Sequence, residues 1–258
     1  MLFSRDGRNA LKQWLVRLLY PYGSVRRVLL GPVKGLRYTV SRGMGFTYAM
    51  GVEFGNWAFL HRHVRPGMTV YDIGANRGQM TLFFSRTVGS SGSVISFEPE
   101  PEIYLTLERN IELNSLGNVS TLQLALSDRD GFGSFAYSDD HSTQGKLDDV
   151  EKTYVIPGAS TQKVRVARLD TLAAKGLPPP HVIKIDAEGG AAALLRGSVQ
   201  VIEKYSPRIY IELHGPEEQA GVRDTLLARG YVARTLDGSI VSDPTDGWHS
   251  PLWCHLPD

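Results

Sequence analysis

The sequence predicts an α/β fold: a mainly parallel, seven-stranded sheet with helices on both faces, an N-terminal extension and an inserted hairpin. Three observations carry this. From residue 68 onward short β-rich runs alternate with helix-length stretches, the order that parallel strands joined by crossover helices require. The first run ends in a glycine turn, Asp72-Ile73-Gly74-Ala75-Asn76-Arg77-Gly78, which opens a helix. At 258 residues and 42% hydrophobic content, the chain suits one large domain with an appendage better than two full domains.

Residues 1–64 read as a helical and extended cap, and residues 65–258 as the main domain. Within the cap, Leu11, Trp14, Leu15, Leu18 and Leu19 form an apolar helical stripe with Lys12 and Arg17 off it. Strands are expected near 68–73, 93–98, 119–124, 181–186 and 207–213, and helices near 78–88, 101–114, 188–204 and 216–229. The regular spacing fails between Leu126 and Leu172, where glycines and Pro157 punctuate short alternating pieces such as Gly133–Tyr137 and Lys163–Ala167. That stretch, about 127–168, is the expected insertion, with a mobile loop at Asp139–Gly145. Gly230–Thr235 and Pro251–Leu256 supply two final strands joined by a Gly/Pro/Asp-rich loop.

A net charge of +1 gives no signal for a polyanionic partner, so nucleic acid is not expected. Cys254 is the single cysteine; it excludes an internal disulfide framework and a cysteine-rich metal site, and it fits a reducing, cytoplasmic compartment. Residues 1–40 hold eight Lys or Arg against Asp6 alone. Arg17 interrupts the apolar run and no small-residue cleavage site follows, which supports neither a signal peptide nor a membrane span. The basic amphipathic segment reads as a cap or a homodimer contact, with docking on an anionic membrane surface as the alternative.

The glycine turn has the spacing Asp-x-Gly-x-x-x-Gly, not the Gly-x-Gly-x-x-Gly of dinucleotide sites. A leading carboxylate repels a pyrophosphate and suits a sulfonium cofactor carrying an amino group, so Asp72 favours S-adenosylmethionine over NAD. Twenty residues beyond Gly78, Glu98 ends the second strand and Pro99 follows it, which aims a carboxylate where ribose hydroxyls bind in open α/β sheets. After the third strand, Ser127 and Asp128 fall where an adenine ring would lie, although a turn-forming Asp is equally consistent. The expected cofactor residues are Asp72, Gly74, Ala75, Asn76, Gly78, Glu98, Pro99, Ser127 and Asp186.

The fourth strand puts Lys184 and Asp186 on one face, and the fifth puts Glu212 and His214 on one face. Aligned as parallel neighbours, the two strands would set Lys184 beside Glu212 as an ion pair and Asp186 beside His214. The candidate catalytic set is therefore His214, Asp186, Glu188 and Lys184. Histidine is favoured as the general base because its ordinary pKa lies near working pH. No metal is assigned, though Asp186, Glu188 and His214 are residue types that can clamp a divalent cation.

The ordered set Val70–Gly78, Phe97-Glu98-Pro99, Asn110–Asn114, Ala125-Leu126-Ser127, Arg168–Leu172 and Ile183–Gly189 resembles the FkbM family of methyltransferases. Upstream, Gly31–Arg37 and Gly51-Val52-Glu53 also look like that family's leader. The resemblance implies a Rossmann-like class I methyltransferase fold, S-adenosylmethionine as donor, and O-methylation of a hydroxyl on a sugar, polyketide or other secondary metabolite. One position departs from it. Similar proteins read Asp-x-Glu-Gly-x-Glu after the fourth strand, whereas here Ala191 stands where the second Glu is expected. A catalytically impaired cofactor-binding protein is thus one rival. The other is a nicotinamide oxidoreductase, against which stand the glycine spacing and the absence of any Tyr-x-x-x-Lys pair. The missing Pro-Pro-aromatic platform after the fourth strand argues against a flipped nucleobase as acceptor.

Overall fold

The computed structural model describes residues 18–41, 54–137, 145–147 and 160–257. Most of the expected amphipathic helix, the Gly51–Glu53 segment and most of the loop around Asp139–Gly145 lie outside them. The chain first forms a hairpin of β1 (Val25–Arg27) and β2 (Arg37–Thr39), then helix α1 (Phe54–His63). The alternating core follows as β3 (Thr69–Ile73), α2 (Gln79–Val88), β4 (Ser93–Phe97), α3 (Pro101–Leu113) and β5 (Val119–Leu122). The insertion comprises β6 (Ala125–Leu126), β7 (Gly131–Tyr137), β8 (Gly145–Leu147) and β9 (Ser160–Ala167), and α4 (Leu169–Ala174) leads back to the sheet. Next come β10 (Val182–Ile185), α5 (Ala191–Arg196), α6 (Val199–Tyr205), β11 (Arg208–Ile211) and α7 (Pro216–Gly221), before β12 (Val232–Arg234), β13 (Ile240–Val241) and β14 (Leu252–His255).

The main sheet runs in the order β13-β12-β14-β11-β10-β3-β4-β5, with β11, β10, β3, β4 and β5 parallel and β14 inserted antiparallel beside β11. It has eight strands where seven were expected, because the turn-rich linker before β14 contributes the two-residue edge strand β13. Strand alternation sends successive residues to opposite faces. Tyr71, Ile95, Ile183 and Ile209 pack with Leu194, Leu195 and Ile202 from α5 and α6, while Val70, Val94, Val182 and Tyr210 pack with α1 and α2 through Trp57, Leu60, Phe83 and Phe84. Burial on both faces explains why all five β3 residues are buried.

Two expected helices are broken. The 188–204 helix divides into α5 and α6 at Gly197, where a Cβ would overlap the Ser127 carbonyl oxygen; the chain sacrifices helical continuity for that close approach. The 216–229 helix ends its regular turns at Gly221 and continues as a π-type turn and a short 3-10 turn. The insertion is more than one hairpin: β7 pairs antiparallel with both β8 and β9, and β6 joins β9 in parallel to complete a four-stranded sheet. The N-terminal hairpin is tied to α3 by Asn110 Oδ1, which accepts the Thr39 N–H at 2.9 Å, and by Asn114, which exchanges hydrogen bonds with the Arg37 backbone.

Candidate active site

The carboxyl ends of β3, β4 and β10 meet at a cavity of about 550 Å³. It is walled on one side by Thr39 and Val40 of the N-terminal hairpin and on another by Phe135 and Leu147 of the inserted sheet. This size is within the range of roughly 300–1,000 Å³ that small molecules and cofactors occupy.

The glycine turn is shaped by protein packing first. Gly74 has φ +71°, and a Cβ there would overlap the backbone carbonyl oxygen of Asp186, so the glycine lets the β3 turn press against the end of β10. Its N–H and that of Ala75 both donate to Phe97 O, which locks the turn to β4. Gly78 has φ +89°, a conformation that favours glycine, and a Cβ there would displace the Leu107 Cδ1 of α3. Asn76 adopts φ +51°, a left-handed conformation that asparagine tolerates better than most residues, and faces the cavity.

Glu98 sits at the mouth of β4 and is buried. Its two carboxylate oxygens accept the N–H groups of Asn76 and Glu100, each at 2.9 Å. Burial outweighs these two bonds and raises its pKa to about 7. Glu100 lines the cavity as well; its carboxylate caps α3 by accepting from Glu102 N and Ile103 N, with Pro101 in the first helical turn.

Several sequence expectations need correction here. Asp72 does not line the cavity. It is fully buried, accepts a 2.6 Å hydrogen bond from Thr81 Oγ1 and lies 3.4 Å from the Lys184 ammonium. Lys184 is not the ion-pair partner of Glu212: the strand register sets it opposite Tyr210 on β11 and opposite Asp72 on β3, and its ammonium turns toward Asp72, toward Asp186 at 3.5 Å and onto Gly74 O at 3.0 Å. Burial opposes the charge of Lys184, yet Asp186 and Asp72 together hold its pKa above the ordinary lysine value. Ser127 is buried away from the cavity wall, and Asp128 pairs with Arg196 at 2.8 Å instead of facing a ring site; Ala125 and Leu126 line the wall in their place. Gly74, Asn76, Glu98, Pro99, Asp186 and Glu188 do line it, whereas Ala75, Gly78, Lys184 and His214 are not part of its lining.

At the far end of the cavity Asp186 Oδ1 lies 3.0 Å from His214 Nε2, and Glu188 Oε2 lies 3.5 Å from His214 Nδ1. The three side chains keep about a third of their surface open, at 32%, 31% and 29% for Asp186, Glu188 and His214. The Asp186 hydrogen bond raises His214 to about 9, so the imidazole is protonated at neutral pH, against the expectation of a histidine near neutrality. Burial pushes Asp186 upward, but Lys184 and then His214 bring it down to about 2. Burial raises Glu188, Glu212 and Glu218.

Glu218 was not singled out in the sequence. It is buried in α7, where one carboxylate oxygen accepts the N–H of His214 and the other accepts the N–H of Ala191 at 3.0 Å. It thereby fixes the His214 turn against the start of α5. An acid in the first turn after Pro216 was a visible helix-start signal, but its backbone partners belong to other elements. Ala191 is completely buried in the core beneath that turn.

The sequence model of the methyltransferase FkbM domain matches residues 72–233. Methyltransferase 1 of Beauveria bassiana is 28% identical over 143 residues, which cover 50% of this chain and 57% of that protein. Hexuronic acid methyltransferase AglP of Haloferax volcanii is 25% identical over 146 residues, 56% of this chain and 55% of that protein. The matches thus span little more than half the length of these relatives. Among solved structures, methyltransferase FkbM of Methylobacillus flagellatus superposes with a TM-score of 0.49 at 16% identity, covering 76% of this chain and 49% of that one.

Proposed function

Because this chain belongs to the FkbM methyltransferase family, whose methyl donor is S-adenosylmethionine, we propose that it transfers that methyl group to a hydroxyl oxygen of a small molecule, a sugar or polyketide alcohol being the first class to test. The observation that carries this reading is one cavity lined by two unlike groups: buried Glu98 beside the glycine turn, and Asp186 and Glu188, both in contact with His214, at the end of β10. The likeness to a hexuronic acid methyltransferase supports a sugar acceptor.

The residues fit the donor. Glu98 presents a carboxylate at the strand end, with lone pairs beyond its two backbone bonds for ribose hydroxyls. Ile73, Phe97 and Leu126 supply apolar wall for a ring, and Asn76 offers an amide from the turn. When bound, S-adenosylmethionine supplies a methyl group on a sulfonium. Transfer of that methyl group to a hydroxyl oxygen would leave a neutral thioether and one hydroxyl proton to be taken up. This chain's part is to hold the hydroxyl in line, exclude water and receive that proton at Glu188, with the protonated His214 held between Asp186 and Glu188 to orient them. Lys184 and Asp72 act from behind the wall, holding the turn and Asp186 in register.

The test has two arms. Calorimetry should detect S-adenosylmethionine and S-adenosylhomocysteine and no NAD; the reverse would restore the oxidoreductase. A labelled-methyl assay over hydroxyl acceptors should give turnover that Glu188→Gln slows by about 10²–10⁴-fold and that His214→Ala also slows, with cofactor affinity little changed in either. Undiminished turnover in either variant removes that residue from its role. Cofactor binding without transfer to any acceptor class would favour the impaired protein that Ala191 suggests.

A further inference from the structure

The geometry points to a divalent cation site formed by Asp186, Glu188 and His214 at the acceptor end of the cavity. One ligand atom from each side chain lies within 4.8 Å of the others. His214 Nε2 and Asp186 Oδ1, 3.0 Å apart and joined by a hydrogen bond, are near enough to share one cation once the imidazole gives up the proton between them.

Two further features favour a cation. Glu188 lines the cavity with 31% of its side chain exposed, and among the described residues its recorded partner is His214 Nδ1 at 3.5 Å, too long for a good hydrogen bond. Its carboxylate therefore keeps lone pairs for a further ligand. Lys184 does not serve Glu188 as a counter-ion either, since its ammonium lies between Asp186 at 3.5 Å and Asp72 at 3.4 Å. Two carboxylate oxygens and one imidazole nitrogen are a donor set for Mn²⁺ or a similar first-row ion, with the remaining positions open to water or an acceptor oxygen.

The binding of the ion stands on these residues alone. What it would do rests on the methyl-transfer reading: a hydroxyl oxygen bound to a divalent cation releases its proton at lower pH and is fixed in place, which replaces the metal-free site expected from sequence.

The experiment titrates the chelator-treated full chain with MnCl₂, reading free Mn²⁺ by electron paramagnetic resonance, alongside a separate S-adenosylmethionine titration. One saturable Mn²⁺ per chain is expected, weakened at least about tenfold in Glu188→Gln and in His214→Asn while far-ultraviolet circular dichroism is unchanged. No saturable binding up to about 1 mM overturns the site, as does binding undiminished in both variants. Should His214→Asn misfold, Glu188→Gln decides alone. Failure of the wild-type chain to bind S-adenosylmethionine would sink the methyl-transfer reading and leave the cation result standing.

Discussion

Glu98 shows how one residue's environment sets its chemistry. Its place was legible in the sequence, since an acid followed by proline after a second parallel strand has few other uses. Its protonation was not, because burial and two backbone donors compete and only the fold says which wins. With a pKa of about 7 against about 4.5 in an unfolded chain, the folded protein holds a proton here that the unfolded chain releases between those values. The group therefore makes the fold less stable as pH rises from about 4.5 to 7, and adds nothing further above that. Ribose recognition has the opposite sense, since the ionised form accepts hydroxyl bonds that the protonated form accepts less well. S-adenosylmethionine affinity measured by calorimetry should be about tenfold tighter at pH 8 than at pH 6, and Glu98→Gln should flatten that profile. A flat profile in the wild-type chain would remove Glu98 from ribose binding. Lys184 is the contrasting case: a lysine inside a covered strand announced a partner, but the partner depended on register, and β3 supplied Asp72 where β11 had been expected to supply Glu212.

At the scale of elements, strands and helices next to the glycine turn followed from periodicity, and the breaks did not. The alternation of β3, β4 and β10 with their helices needs only local patterning. Gly197 interrupts α5 and α6 for a contact with Ser127, 70 residues earlier in the chain, which no local pattern reveals. The turn itself combines the two cases. Its glycines answer to packing and backbone shape, Gly74 being required by the Asp186 carbonyl and Gly78 by its φ of +89°. Gly74→Ala should thus cost more than the roughly 1 kcal/mol expected for a left-handed residue alone, and it should push the β3 turn away from β10. Gly230→Ala is the control, because Gly230 is left-handed at φ +81° and a Cβ there meets only ordinary contact with Leu256. Chemical denaturation should place Gly74→Ala well below Gly230→Ala in stability, with cofactor affinity lost only in the former. Equal losses would mean that backbone conformation, not the approach of β10, explains the glycine.

For the whole molecule, the cavity is an assembly of three parts: strand ends of the main sheet, the β1–β2 hairpin, and the inserted sheet. Two of these walls were visible in the sequence only as a cap and an irregular stretch, because their contact with the site is made through tertiary packing, as when Asn110 and Asn114 of α3 hold Arg37 and Thr39. A ligand filling such a cavity touches all three parts and has no equivalent site in the unfolded chain, so its binding free energy becomes folding free energy. At about 100 times Kd the gain is roughly 2.7 kcal/mol. For a chain of this size each kcal/mol moves the melting midpoint by about 2–4 °C, so saturating S-adenosylmethionine should raise Tm by about 5–10 °C, and S-adenosylhomocysteine by a similar amount at equal saturation. The shift should be larger at pH 8 than at pH 6 at one fixed ligand concentration, because Glu98 gains its charge between them. NAD should leave Tm unchanged. A comparable shift with NAD would mean that the cavity accepts nucleotides generally, and that the choice of a sulfonium donor does not reside in the walls formed by Glu98 and the Gly74 turn.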